Sequence, residues 1–515
     1  MLSDKVAVAS PGRFRAMSFF VFLFLCGQPS VPAPLKAPVP KITPAELHKP
    51  SYYPDRIILN LTETPGQSLA VNWRTSTLVT TPQVQYAIAR ENSSFAKSTK
   101  TVFAKTTPLK TDLGEALYHS ARMEGLSPGM VYAYRVGDGI HWSEWFQART
   151  ASVTREKAEP SPVRILYLGD AQNDIWAHWS RVIRQAILSG SSPDLILHAG
   201  DLINKAQNDA EWGDWHRAAG WIHASVPSLA TPGNHEYPLG VPIGGKSITN
   251  LSPHWRPQFN LPENGPKGLE ETCYFLDYQG VRLISLNSNE KLDEQAKWLD
   301  GVLTNNPCKW TIVTFHHPVW SGAKSRDSVK VRQAWRKILE THRVDLVLTG
   351  HDHTYARGTS PEASGNEPGS FSDHGTVYVI SVSGPKMYEP ARMPWMRTNL
   401  KDTQTYQLVE VGVHSIRFRA ITPDGQYVDS FDIERRDDGT NRVVEKGPGA
   451  PTAGNASDSR GKEPKTGKVG GERGDTRTTR NAIEFPRDQG PSGLMAALAM
   501  ISLGGILAGV SYWKK

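Results

Sequence analysis

Val163-Arg-Ile-Leu-Tyr-Leu-Gly-Asp170 is the stretch on which the fold turns. It is a short apolar run, rich in β-branched and aromatic residues and stopped by Gly-Asp. That combination reads as a buried strand ending at a turn. The same figure returns twice. Asp194-Leu-Ile-Leu-His198 runs into Gly200-Asp201, and residues 344–349 run into Gly350-His351. Further short apolar runs occupy 226–231, 272–278, 281–286 and 310–315, while helical spacing marks 175–188, 292–303 and 329–341. Three more strand patterns follow one another at 377–382, 407–411 and 416–420. Strands interleaved with helices, then paired late, imply a mixed α/β fold in layers. Polar residues stand just past the strand ends, where open α/β sheets place their sites.

Five motifs occupy those ends: Gly169-Asp170-Ala-Gln172, Gly200-Asp201, Gly233-Asn234-His235-Glu236, Val313-Thr-Phe-His316-His317 and Gly350-His351-Asp-His353. Carboxylates, amide oxygens and imidazoles form a mixed hard and borderline donor set, suited to Zn²⁺, Mn²⁺, Fe or Mg²⁺. One carboxylate, Asp201, could bridge two ions. Two ions about 3.5–4 Å apart clamp a phosphate ester and support in-line displacement. The glycines are expected to turn the chain off each strand and bring the main chains close. Gly-Asp after a strand is ordinarily a turn, and a single histidine is ordinarily packed. The metal reading rests on all five in this order.

This ordered set resembles the calcineurin-like metallophosphoesterases. With the domain ahead of it, the chain most resembles purple acid phosphatases and their bacterial relatives. The resemblance covers about residues 52–436. It implies an α/β fold, a four-layer metallophosphoesterase β-sandwich flanked by helices, preceded by an all-β fibronectin III-like sandwich. It also implies Asp170 and His353 on one metal ion, Asn234, His316 and His351 on a second, and Asp201 bridging the two. His235 would then sit beside the phosphate, to stabilise the transition state or protonate the leaving oxygen. Purple acid phosphatases carry Asp-x-Gly first and Gly-Asp-x-x-Tyr second, the tyrosine binding a ferric ion. Gln172 and Asn204 stand in those places here. This argues against an Fe(III)-tyrosinate centre and for two divalent metal ions, with Fe, Zn or Mn as candidates. The Gln172 side-chain oxygen is expected at metal one, with a hydrogen bond from outside the ligand set as the alternative.

Neighbouring residues carry weaker expectations. His317 is a second catalytic candidate, either contacting phosphate, helping proton transfer or packing. Tyr237, Tyr355 and Arg357 are candidates for substrate binding, and Glu236 is expected to anchor its loop. Trp212, Trp215 and Trp221 read as helix packing.

Ahead of this domain, residues 52–150 alternate apolar and polar at 57–61, 68–73, 83–87 and 130–136, with Pro65-Gly66 between the first two. This is a small β-sandwich pattern, with Trp73 and Tyr132 as core. At the N-terminus, Arg13 and Arg15 precede about ten apolar residues, a secretory signal pattern within 1–33; a Pro-rich linker is placed at 34–51. The catalytic domain is placed at 162–436, and residues 437–490 read as a disordered stalk. Residues 493–513 carry no charge and precede Lys514 and Lys515, which fits a C-terminal transmembrane helix or a sorting tail. The reading is export to the cell surface or periplasm, anchored by that helix.

The formal net charge of +7 first suggests a polyanion binder. Residues 1–50 hold +4, 437–490 hold +1 and the final lysines +2, so residues 51–436 are neutral. Nucleic acid is therefore disfavoured as a partner. Small phosphorylated substrates fit better. Outside the N-terminal run only Cys273 and Cys308 remain, enough for one bridge or two free thiols. The favoured reading is an exported metal-dependent phosphoesterase that hydrolyses phosphate monoesters with metal-bound hydroxide. The alternatives are a phosphodiesterase or nucleotide pyrophosphohydrolase on the same site, and a non-catalytic surface-binding protein.

Overall fold

The computed structural model of the chain describes residues 41–152, 161–238, 250–361 and 372–447. The expected signal, the C-terminal helix or tail, and the stalk beyond 447 lie outside them. Among the described residues no helix is long and apolar enough to cross a membrane.

The strand Val163–Leu168 lies where its sequence placed it. It pairs parallel with Leu195–His198 and antiparallel with Tyr406–Val411. Beyond the exposed Arg164 both of its faces are covered, which is why residues 165–168 run apolar rather than alternating. This sheet continues outward through Ser415–Ile421, Tyr427–Arg435 and Asn441–Glu445. The last strand pairs in register with Tyr427–Arg435, so the sheet extends beyond residue 436, into the segment read as stalk.

A second, seven-stranded sheet is ordered Tyr274–Tyr278, Val281–Ser285, Trp310–Thr314, Leu346–Thr349, Val377–Ile380, Tyr355–Thr359, Met396–Leu400. The two sheets share one core, in which Ile165, Leu197 and Val409 cluster with Leu283, Ile312 and Leu348. The Tyr167 hydroxyl donates to the Thr349 carbonyl across the sandwich. Helices Leu292–Thr304 and Val329–Thr341 cover the outer face of the second sheet, burying Leu299, Trp335 and Leu339 against Ile284, Val313 and Val347. Helices Trp179–Leu188 and Asp209–Ala219 belong to the first sheet's side, with Trp179, Trp212 and Trp215 fully buried. Trp221 is exposed instead. The layers are thus helix, sheet, sheet, helix.

The front domain has two sheets, one of Lys100–Phe103, Gln83–Ile88, Val131–Gly137 and Phe146–Arg149. The other, Asp55–Leu61, Leu69–Thr75, Gly114–Met123 and Lys105–Thr111, is not closed on itself. Asp55–Leu61 pairs parallel with Ser228–Ala230, joining it to the first catalytic sheet in one eleven-stranded sheet. Trp73 is fully buried, and the Tyr132 hydroxyl accepts from the Ser127 N–H at 2.8 Å. A buried ion pair crosses the junction. Arg56 donates to both carboxylate oxygens of Asp209 at 2.7 and 2.8 Å, and Arg74 adds a third contact at 3.3 Å. Asp209 opens the helix that follows the second metal motif. The front domain is therefore part of the scaffold behind the site. Cys273 and Cys308 are both free thiols.

Candidate metal centre

The motif loops meet because little side chain separates them. Gly200 has φ +88°, and a Cβ there would lie 2.6 Å from the Gly233 nitrogen and 2.8 Å from His316 Nδ1. Gly233 is ordinary in φ, but its Cβ would fall 2.2 Å from Asp201 Oδ1. Of the four motif glycines, only Gly200 supplies the expected left-handed turn; the others serve close approach. Left-handed backbone falls instead on the candidate ligands Asp201, His351 and His353, at φ 51°, 74° and 47°. Each such residue costs about 1–3 kcal/mol, the kind of strain that gathers at functional sites.

Two donor groups result. Asp201, His316 and His351 form one, and Asp170, Asp201 and His353 the other, each with its ligand atoms within 4.8 Å of one another. Asp201 belongs to both. Its Oδ2 lies 3.1 Å from His316 Nε2. Asn234 Oδ1 and His351 Nδ1 each lie 3.2 Å from that same nitrogen. His316 Nδ1 donates to the Ala199 carbonyl and His353 Nδ1 to the Lys386 carbonyl, at 2.8 and 2.9 Å. These bonds fix the tautomers and aim both Nε2 lone pairs inward.

The donors fit cations. Asp170 Oδ1 and Gln172 Oε1 are buried without a hydrogen-bonding partner among the described residues. Burial raises the cost of every charge here. Despite it, Asp201 and Asp170 push His316 up to about 9. Against the same burial, His316, His235 and His351 hold Asp201 well below the carboxylate range. Burial, opposed by His316 and aided by Asp201, lifts Asp170 to about 7. Anions and lone pairs packed this tightly need positive charge between them.

Gln172 enters the centre, fully buried, but turned. Its Nε2, not the expected Oε1, faces Asp201 Oδ2 at 3.0 Å and His353 Nε2 at 2.9 Å. Amide oxygen and nitrogen exchange places by a half-turn of the amide. His235 also joins the site. Its backbone N–H donates to Asp201 Oδ1 at 2.9 Å, its Nδ1 to the Asn204 carbonyl at 2.5 Å, and its Nε2 stands 3.9 Å from Asp201 Oδ2. The His317 ring lies 4.1 Å from the His351 ring, tilted 51° to it. Burial and the neighbouring His316 charge push it down to about 3, so its ring is neutral. Glu236 anchors its loop as expected. It accepts from the backbone N–H groups of Asp201, Leu202 and Gly233 at 2.9, 2.8 and 2.6 Å.

Beside His235 a cleft of about 750 Å³ opens, lined by Asn204, Lys205, Gln207, Tyr237 and, from the front domain, Asp112. Tyr237 lines it with its ring, while its hydroxyl is engaged by Asn287 and Glu290, both at 2.7 Å.

Tyr355 and Arg357 do not reach the site, contrary to expectation. The strand Tyr355–Thr359 points both away, toward the first sheet. Tyr355 Oη donates to Asp429 at 2.7 Å, and Arg357 makes a two-pronged pair with Asp429 at 2.7 and 2.8 Å. Arg357 also bonds Glu445 at 2.9 Å and is 1 % exposed. Its role is to link the sheets.

The family model described as calcineurin-like phosphoesterase matches residues 163–355, and that described as purple acid phosphatase, N-terminal domain, matches 54–150. The chain carries a calcineurin-like phosphoesterase domain behind a purple acid phosphatase N-terminal domain. Purple acid phosphatase 15 of Arabidopsis thaliana is 24% identical to it over 337 residues, which are 58% of this chain and 60% of the relative. The chain thus spans about 60% of that relative's length. Acid phosphatase type 7 of Homo sapiens is 27% identical over 341 residues, 60% of this chain and 72% of the relative. A purple acid phosphatase from yellow lupin (Lupinus luteus) seeds shares the fold, with TM-score 0.62 at 18% identity over 75% of each chain.

Three groups of the site were not read from the sequence. Ser288 accepts from the His317 N–H at 3.0 Å and meets its Nδ1 at 2.8 Å. Asp352, between two ligands, is fully buried and accepts from the Gly322 N–H at 2.6 Å and Arg326 Nε at 2.9 Å. Arg326 itself reaches His351. Only Asp352 carried a signal, as the intervening residue of the last motif.

Proposed function

We propose that this chain is an exported phosphatase that hydrolyses phosphate monoesters at a pair of divalent ions. One observation carries the reading: a single buried carboxylate, Asp201, is shared by two ligand groups. Asp170 and His353 would hold one ion with the Gln172 amide turned to present its oxygen, and Asn234, His316 and His351 the other. Ions bound there supply Lewis acidity toward the phosphoryl oxygens and a water acidified for attack.

The chain's own groups do the rest. His235 is oriented by its bond to the Asn204 carbonyl. It faces the cleft with Nε2, from which it can hand a proton to the departing ester oxygen. Ser288 donates to Nδ1 of neutral His317, which leaves Nε2–H as a donor to a phosphoryl oxygen. The cleft beside His235 receives the leaving group. Overall, water adds at phosphorus, the ester P–O bond breaks, and alcohol and phosphate leave. The N-terminal apolar run and the uncharged stretch 493–513 support export and anchoring.

Asp201→Asn is the test. It should lower hydrolysis of an aryl phosphate by about 10³-fold or more, because a transition-state charge partner is lost. It should also lower the metal content by elemental analysis, with circular dichroism unchanged. Wild-type activity with unchanged metal content would refute the bridging role. Wild-type protein that binds metal but turns over no ester would favour the non-catalytic alternative.

A further inference from the structure

Arg56 stands at a break in strand pairing. The register between Asp55–Leu61 and Leu69–Thr75 shifts between Asp55 and Ile58, and Arg56 takes φ 50°, the left-handed region. Such bulges re-aim a side chain, and strain of this kind gathers at functional sites. Here the guanidinium is turned into the junction of the two domains, and the residue is 8 % exposed. A cavity of about 350 Å³ opens beside it, walled by the front domain, the segment ahead of it, and the helices Asp209–Ala219 and Trp221–Ser225. It shares no described residue with the cleft beside His235.

Two polar atoms at this wall are left over. Arg56 gives its two Nη groups to Asp209 and Tyr118, but its Nε–H has no hydrogen-bonding partner among the described residues. Gly213 lets it lie against the helix, since a Cβ there would fall 3.0 Å from Arg56 Nη2. One turn further on, buried His216 is in the same state at Nδ1. Gln258 donates through Nε2 to the His254 carbonyl, so its Oε1 faces His216 and accepts from the ring Nε2–H at 2.9 Å. Burial keeps that imidazole neutral, so Nδ1 carries a bare lone pair. Buried polar groups are rarely left unpaired. One of these two needs an acceptor and the other a donor, and a hydroxyl is both.

Charge and shape narrow the ligand. Arg56 and Arg74 are neutralised by Asp209 and Asp55, at 2.7 and 2.6 Å. Arg217 and Glu144, also in the lining, enter no ion pair among the described residues and are opposite in sign. An anion would meet Asp55 and Glu144, and a cation would meet Arg217. One water would fill only about a tenth of the cavity. Gly220, at φ 58°, ends the first helix and turns the chain so that Trp221 stands at the rim, 58 % exposed. An open indole face next to hydrogen-bonding groups of both kinds suits a sugar ring, which has an apolar C–H face and hydroxyls at its edge.

We propose that this cavity is a saccharide site, in which a neutral sugar residue lays one face on Trp221 and sets a hydroxyl between Arg56 Nε–H and His216 Nδ1. Its role is attachment to a glycan, and it does not depend on the hydrolytic reading of the metal centre.

The test uses the metal-loaded full chain and saturation-transfer NMR with D-glucose, D-galactose and N-acetyl-D-glucosamine. At least one should bind saturably, with a Kd on the order of 1 mM, as expected for a ligand of that size. Trp221→Ala should weaken binding at least about tenfold, and Trp221→Phe, which keeps a smaller ring, should restore part of it. Both variants change an exposed side chain, so circular dichroism and aryl phosphate hydrolysis should stay at their wild-type values. D-Glucuronate and D-glucosamine should bind more weakly than the best neutral sugar. Failure of all the neutral sugars to bind, binding that Trp221→Ala leaves unchanged, or a charged sugar bound as tightly as the neutral ones would overturn the site.

Discussion

Replacing His223 should make the protein more tolerant of acid, by an amount the structure fixes. His223 is fully buried, and neither ring nitrogen has a partner among the described residues. Its ring lies 4.2 Å from Trp215 and 6.2 Å from Trp179, with His198 and His216 at 5.4 and 5.9 Å. Burial, then the charges that His198 and His216 would carry, hold it well below the free value. Burial likewise pushes His198 and His216 down to about 3. A depressed imidazole costs nothing above the unfolded value near 6.5. Below it, the unfolded chain takes up a proton that the folded one refuses. Stability is then lost at about 1.4 kcal/mol per pH unit until the folded value is reached. From pH 7.5 to 5.0 each of the three should cost about 2 kcal/mol, a large share of the ~5–15 kcal/mol total of a typical domain. Glu271 and Asp345, raised by burial to about 7 and 6, act in the opposite sense over the same range. Whole-protein acid sensitivity is therefore a mixture, and a difference measurement isolates the histidine. Denaturant unfolding of wild type and His223→Leu would be compared at pH 7.5 and 5.0, with chelator present so that metal loss does not contribute. Packing changes shift both pH values alike and cancel. The variant should gain about 2 kcal/mol relative to wild type on going to pH 5.0. Parallel pH profiles would refute the reasoning.

Gly200→Ala forces a Cβ against the Gly233 nitrogen and His316 at a positive φ, and should cost about 2–4 kcal/mol in thermal or denaturant unfolding along with metal content. Arg357→Ala leaves Asp429 buried without its counter-charge, holding only the Tyr355 hydroxyl, and should cost about 3–5 kcal/mol of stability. Its KM for an aryl phosphate should stay that of wild type; a raised KM in a fully folded variant would return Arg357 to the substrate site. Protein loaded with iron should show no strong visible charge-transfer band, because Asn204 stands where the tyrosinate would be; such a band would contradict the divalent assignment.

The catalytic strands were legible because they are buried on both faces, so Val163–Leu168 and Leu195–His198 announce themselves as apolar runs. The hairpin Lys105–Thr111 and Gly114–Met123 was missed, because most side chains of its first strand face solvent and carry no pattern. Metal motifs were legible for a different reason: each needs a ligand type fixed to a strand end, and chain order preserves both. Arg326 lay beyond reach, since nothing local distinguishes it from a surface arginine.

By itself the sequence determined which residues could hold metal and in what order the strands bring them, because donor chemistry and burial on both faces are properties of short segments. Direction was left to the tertiary structure. Two residues past His353, strand alternation and the position of Asp429 turn Tyr355 and Arg357 away from the centre, while the segment ahead of a helix swings Arg326 onto it. The same is true of the front domain, whose sheet joins the catalytic one through Asn60 and Ser228. Backbone pairing between strands so far apart in the chain depends on register and packing, which no local pattern records.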